Sequence, residues 1–211
     1  LYASLTNYEP ILAVPYDTPI VGYENDVVNT LRLWSAEPVT DEFDFSSFSR
    51  GDFLKAIEYK NTVESISQVL YPEDSFYEGK KLRLKQQYFF VSAGVQSIIE
   101  HYKSNGGNVR ELDQSIAIHI NDTHPTLAIP ELMRILMDEE GLSWDDAWRI
   151  TKNVCAYTNH TILAEALEKW PVSMLGNLLP RHLQIIYEIN GRFLRQISSL
   201  YPGDQARLQR M

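Results

Sequence analysis

The sequence predicts an α/β fold with a mixed or parallel sheet flanked by helices. Three observations carry this. Four apolar runs have strand length and end in turn formers: Ile11–Val14, Leu31–Trp34, Ile116–Ile120 and Val154–Tyr157. Longer stretches between and after them repeat apolar residues at spacings of three and four, the period of a helix face. In the second half, strand and helix alternate, which is the pattern that gives parallel pairing.

Taken in order, Ile11–Val14 and Leu31–Trp34 are separated by a segment rich in Pro, Asp, Gly and Asn. That segment is too broken for a helix, so a loop is expected to join the two strands within a mixed sheet. Thr40–Arg50 is polar and acidic with interspersed Phe and reads as a surface loop. Gly51–Leu70 reads as two helices with a break. Asn61 stands as N-cap of the second, with Glu64 in capping-box position, and Pro72 ends it. From Lys80 a long helix carries Leu84, Tyr88, Val91, Val95, Ile98 and Tyr102 on one face, a packing stripe. The run Ser104-Asn105-Gly106-Gly107-Asn108 closes it.

After the third strand, Pro130 suits the first turn of a helix, where its missing N–H costs nothing. Leu132, Ile135 and Leu136 are expected to face inward, with Gly141 as the stop. Ser143 and Asp146 mark the start of a further helix bearing Trp144 and Trp148. The fourth strand leads into a short helix through Ala166, bounded by Pro171. Pro180 opens a long last helix with Leu183, Ile186, Phe193 and Ile197; Gln184, Tyr187 and Asn190 are read as helix packing.

Composition narrows the function. Hydrophobic residues make up 44% and charged residues 22%, ordinary globular usage. The net charge of −9 with no basic run speaks against nucleic acid, whose binding needs clustered Lys and Arg. No apolar run approaches the length that crosses a membrane. Cys155 stands alone in an apolar run and reads as an inert core thiol. His119 and His124 are five apart, with no His-x-x-x-His or Cys-x-x-Cys spacing, so no metal site is expected. No glycine-rich phosphate loop and no Gly-x-Ser-x-Gly elbow occurs.

The informative chemistry is at two strand ends. Ile116–Ile120 runs into Asn121-Asp122-Thr123-His124-Pro125, and Val154–Tyr157 into Thr158-Asn159-His160-Thr161. In an open α/β sheet, ligands sit at the carboxyl ends of the strands, and these side chains suit a hydroxyl-rich ligand. The same residues also serve as helix caps. Two matching clusters, each with a histidine, point to one shared site. Glu165 and Glu168, with Asp122, could form a hydrolytic carboxylate pair, but three apart on one helix they lie side by side, and a solvated face is the favoured reading.

Long motifs then carry a family resemblance. NDTHPTLAIPELMRIL, AYTNHTILAEALEKWPV and LLPRHLQIIYEIN resemble the α-glucan phosphorylases, as do LAVPYDTPIVGYENDVVNTLRLWSA and YPEDSFYEGKKLRLKQQYFFVSA upstream, in the same order. Enzymes of that family are several times longer. The resemblance therefore implies that residues 1–211 are one α/β segment from the central to C-terminal part of their N-terminal domain. That domain is Rossmann-like, of the GT-B glycosyltransferase type. The domain bearing pyridoxal phosphate lies outside the segment.

The implied activity is reversible cleavage of a terminal α-1,4-glucosidic bond by phosphate, giving glucose 1-phosphate with retained configuration. The implied partners are α-glucan or maltodextrin and a second subunit, in a cytoplasmic homodimer with Asn61–Leu70 at the interface. His160 and Asp122 match catalytic positions: His160 the histidine that binds the glucosyl ring and turns its main-chain carbonyl to the anomeric carbon, and Asp122, with His124, the lining of the pocket beside that carbon. His124, Asn159, Thr161 and Glu165 fall in the matching sugar-facing motifs. Glu73–Tyr77 matches a mobile gating loop, with Asp74 its acidic position and Phe76 its closing aromatic; Glu73, Ser75 and Tyr77 depart from the common pattern. Arg83 is expected to pair with Asp74. The segment is expected to be inactive alone and to bind no cofactor. The rival reading is a non-catalytic glucan-binding or scaffold module.

Overall fold

The first ordered feature of the computed structural model is a long hairpin. The structure describes residues 6–39, 45–164 and 167–211. Strand β1, Ile11–Val21, pairs antiparallel with β2, Val28–Pro38, in one continuous register from Ile11 opposite Pro38 to Val21 opposite Val28. Both strands are much longer than the apolar runs suggest, and the expected loop shrinks to a tight turn. Pro15 and Pro19 are the reason the sequence misleads. They are four apart and so share one edge, and a two-stranded ribbon leaves outer edges where a missing N–H costs no ladder bond. Gly22 N–H donates to the Val27 carbonyl at 2.8 Å, and Asn25 Oδ1 accepts from Val27 N–H at 2.9 Å. A Cβ at Gly22 would fall 2.2 Å from Asn25 Oδ1, so a larger residue here would displace the Asn25 side chain from its bond to Val27 N–H. Arg32, facing Asp17 across the ladder, grips its carboxylate with two bonds of 2.7 Å, and this hydrogen bonding holds the Asp17 carboxyl below its usual range.

Three helices follow: α1 Phe45–Ser49, α2 Phe53–Ala56 and α3 Glu58–Gln68. The first lies where a loop is expected; residues 40–44 of that stretch lie outside the described residues. Asp52 caps α2 by accepting from Lys55 N–H. Asn61 is not an N-cap. Its own N–H bonds the Ile57 carbonyl, so it sits inside α3, and Glu64 instead meets Lys60 one turn back. Helix α3 lays Val63 and Ile66 on β2, where they join Ala36 and Phe89 in a core extended by Trp34, Tyr59 and Leu82.

Helix α4 runs from Tyr77 to Ser104. Leu84, Val91 and Val95 of the expected stripe are buried, and Tyr88, Ile98 and Tyr102 half-buried. The described residues divide into two compact units within this helix, after Ser97.

In the second unit, a 3-10 turn over Val109–Gln114 precedes β3, Ile118–Asn121. Helix α5, Ala128–Arg134, starts with Pro130 in its first turn and widens into a π turn over Ile135–Glu139. Leu132, Ile135 and Leu136 are buried as the spacing predicts, and Gly141 stops the helix at φ 69°. Helix α6, Trp144–Val154, is capped by Ser143, which accepts from Asp146 N–H; Ala147, Ile150, Thr151 and Val154 form its buried face. It runs straight into β4, Cys155–Thr158, parallel to β3. The chain after β4 is irregular through 162, and the short helix expected to reach Ala166 ends at positions outside the described residues. Helix α7, Val172–Leu178, has no forecast in the sequence reading; it packs on α8, Pro180–Leu200, and α9, Gln205–Gln209, closes the chain.

One correction concerns α8. Its buried positions are His182 and Ile185, while Phe193 is 45% exposed. Gln184, Tyr187 and Asn190, expected in helix packing, are exposed. The single mixed sheet is also replaced: the described strands form two separate two-stranded sheets, the antiparallel hairpin and the parallel pair β3–β4. The coarse class, mixed α/β, holds.

Candidate functional site

The parallel pair places the two polar clusters side by side. Ile118 faces Cys155 in register, and Asn121 faces Thr158. Side chains alternate along a strand, so Ile118 and Ile120 share one face while His119 and Asn121 share the other. Ile120 is buried, whereas His119 and Asn121 are exposed. The polar face thus ends in two contacts, one between the strands and one from the turn after β4 back to β3. His119 Nε2 bonds Thr158 Oγ1, and His160 Nε2 bonds Asn121 Oδ1. An amide oxygen only accepts, so His160 donates through Nε2. In the Nε2–H tautomer of the ring, Nδ1 is the acceptor.

The turn after β3 is built on Asp122. Its N–H donates to the Thr158 carbonyl at 2.7 Å, which locks the turn to β4. Its carboxylate accepts from Thr123 N–H at 2.8 Å. Its backbone lies at φ 70°, the left-handed region that Asp and Asn tolerate better than other side chains. Asn159 and Thr161 are likewise turn formers: Asn159 Oδ1 accepts from Thr161 N–H at 3.0 Å and Thr161 Oγ1 from Leu163 N–H at 3.2 Å. The two readings of these clusters therefore divide by residue. Asp122, Asn159 and Thr161 shape the backbone, while His160 and Asn121 reach across the strands.

The strain at Asp122 makes a first prediction. Asp122→Asn keeps both the left-handed preference and a side-chain acceptor, so stability should stay close to the parent. Asp122→Ala loses both and should cost about 1–2 kcal/mol in urea denaturation. Equal losses for the two variants would show that the turn does not depend on this conformation.

His124 lies half-buried in the same turn. Asp74 and Phe76 are exposed on the loop between α3 and α4, in the first unit; Phe76 is 70% exposed. Arg83, expected beside Asp74, stacks over the Tyr71 ring at 5.6 Å. Glu165 lies outside the described residues. The residues that the sequence reading undervalued are Asn121 and His119. The signal was available: extending β3 by one residue puts Asn121 level with Thr158.

Below the site, the burial of Cys155 pushes its thiol up to about 11, which keeps it protonated and unreactive. Glu131, wholly buried on α5, receives two bonds from Arg134 at 2.8 and 3.0 Å and one from His182 at 2.6 Å. Burial works to raise this carboxyl, but the His182 and Arg134 bonds outweigh it and hold Glu131 at about 2. The cluster ties α5, which leaves the site directly, to α8. Among the described residues no group of three His, Cys, Asp or Glu is arranged for a metal ion, and no helix is long and apolar enough to cross a membrane.

A family model described as "Carbohydrate phosphorylase" matches residues 2–211. The chain belongs to the carbohydrate phosphorylases. Within that family it is similar to glycogen phosphorylases: 54% identical to the muscle forms of Oryctolagus cuniculus and Homo sapiens over 99% of its length, and 55% identical to the brain form of Rattus norvegicus over 95%. It spans about a quarter of those proteins, 26% of the muscle forms and 25% of the brain form.

Proposed function

We propose that this chain is the glucosyl-facing segment of a retaining α-1,4-glucan phosphorylase, set within a Rossmann-like GT-B domain. The full-length protein would cleave terminal α-1,4-glucosidic bonds with inorganic phosphate to give glucose 1-phosphate. The observation that carries the reading is the His160–Asn121 contact at the carboxyl ends of two parallel strands. It holds the His160 ring by Nε2 and leaves Nδ1 to meet a sugar hydroxyl. Glycosyl transfer passes through a cationic, oxocarbenium-like transition state. Preorganised neutral dipoles suit such a state because they need no reorganisation as charge develops. Asp122, held in its turn, adds carboxylate character next to the same position.

The many exposed apolar side chains of the hairpin, among them Leu12, Tyr16, Ile20, Leu31 and Leu33, support a segment that rests in a larger body. Helix α3 buries Val63 and Ile66 and leaves Asn61 and Thr62 exposed, which suits the Asn61–Leu70 stretch to a homodimer contact in a cytoplasmic enzyme.

The segment does not fit pyridoxal phosphate. A lysine that forms an imine needs a desolvated site that lowers its pKa. Every lysine here is at least partly exposed, and Lys103 is raised by its bond to Glu140. The cofactor would belong to the rest of the protein.

The test is direct. The full-length protein should release glucose 1-phosphate from maltodextrin only when phosphate is present, and the 211-residue chain should release none. Free glucose formed without phosphate would overturn the reading in favour of a hydrolase, and activity in the isolated chain would overturn its incompleteness.

A further inference from the structure

The loop joining α3 to α4 returns unusually close to the helix that follows it. A Cβ built on Gly79 would lie 1.7 Å from the Glu73 carbonyl oxygen and 2.9 Å from its carbonyl carbon. Both are backbone atoms, so no side-chain rotation relieves the collision. Gly79 is also an odd choice for the first turn of a 28-residue helix, since alanine is the better helix former there. The rest of the loop is locally tied. Tyr71 takes a left-handed backbone at φ 56° and lies under the Arg83 guanidinium. Gln86 Nε2 holds the Val69 carbonyl at 2.8 Å, and the Glu73 carboxylate accepts from Ser75 N–H at 3.1 Å. That bonding to Ser75 draws the Glu73 carboxyl below its usual range. The outcome is that Phe76 is presented outward at the tip.

We infer that Gly79 is a positioning residue: its missing side chain seats the Glu73 carbonyl and so fixes where the Glu73–Phe76 loop carries Asp74 and Phe76. Any side chain at this position drives the loop into another conformation, while the helix itself is left intact or improved. The consequence for turnover rests on the proposed gating role of the loop in the phosphorylase, but the seat itself does not.

The experiment compares Gly79→Ala with Gly94→Ala in the full-length protein. A Cβ at Gly94, on the same helix, meets nothing within 4 Å. Hydrogen exchange of the peptide 72–80 should speed at least about tenfold in Gly79→Ala, the mark of local opening. It should stay unchanged in Gly94→Ala, and the melting temperature should not fall in either. Glu73→Ala, on an exposed loop with little at stake for folding, should speed exchange at Ser75 in the same sense. Unchanged exchange in Gly79→Ala overturns the inference, as does equal acceleration in Gly94→Ala. If exchange speeds and phosphorolysis kcat falls with it, both the seat and the gate stand. If exchange speeds while kcat and KM hold, the seat stands and the gating role falls.

Discussion

Glu131→Ala is expected to destabilise the protein by about 3–5 kcal/mol, the usual result of removing one partner from a buried ion network. Glu131 is wholly buried, and Arg134 and His182, 6% and 3% exposed, lose the carboxylate between them. Arg134 keeps Glu139 at 2.7 Å, which does not replace a two-bond grip. The effect should be read as a lower urea midpoint in the protein carrying this segment. Breaking the exposed Arg192–Glu188 pair should leave the transition where it is, since surface pairs contribute little. A loss under about 1 kcal/mol in Glu131→Ala would mean that the cluster is not the link between α5 and α8 that its geometry implies.

The same carboxylate sets a pH dependence. Its folded pKa of about 2 is below its ordinary 4.5, so the folded state favours the charged form. The stability this contributes is complete above about pH 4.5 and is lost as pH falls toward 2, roughly 3 kcal/mol in all. Glu131→Gln should flatten the acid limb of the stability curve in that window. An unchanged limb would place the acid sensitivity elsewhere.

Much of the second unit is legible in the sequence because its signals are local. Proline in a first turn, serine at a cap and apolar residues at helical spacing each act within a few residues, and Pro130, Ser143 and Leu132 sit as predicted. The hairpin was illegible for the opposite reason. Its length is set by pairing between distant residues, and Pro15 and Pro19 look like breaks unless the edge they occupy is known. Asn61 shows the same limit on a smaller scale, since a helix starting at Glu58 overrides its capping preference. The clusters at the strand ends were visible as composition. Their division into turn formers and cross-strand contacts was not, because it depends on the register of β3 against β4. Gly79 gave no signal at all: its reason is a carbonyl six residues away.

His160→Ala in the full-length protein should lower kcat/KM by about 1–3 kcal/mol of transition-state stabilisation, roughly five- to 150-fold, as a hydrogen bond made best in the transition state is lost. The fold should not suffer, because the His160 side chain is exposed and lies beyond the end of β4. Asn121→Ala should fall in the same direction, since it leaves His160 in place but frees its ring to turn. The two losses should not add. Once the imidazole is gone, nothing remains for Asn121 to orient, so the double variant should match His160→Ala. Additive losses would separate the two residues and remove the basis for a His160 ring held by Asn121. Unchanged kcat/KM in a folded His160→Ala protein would remove His160 from the sugar site altogether.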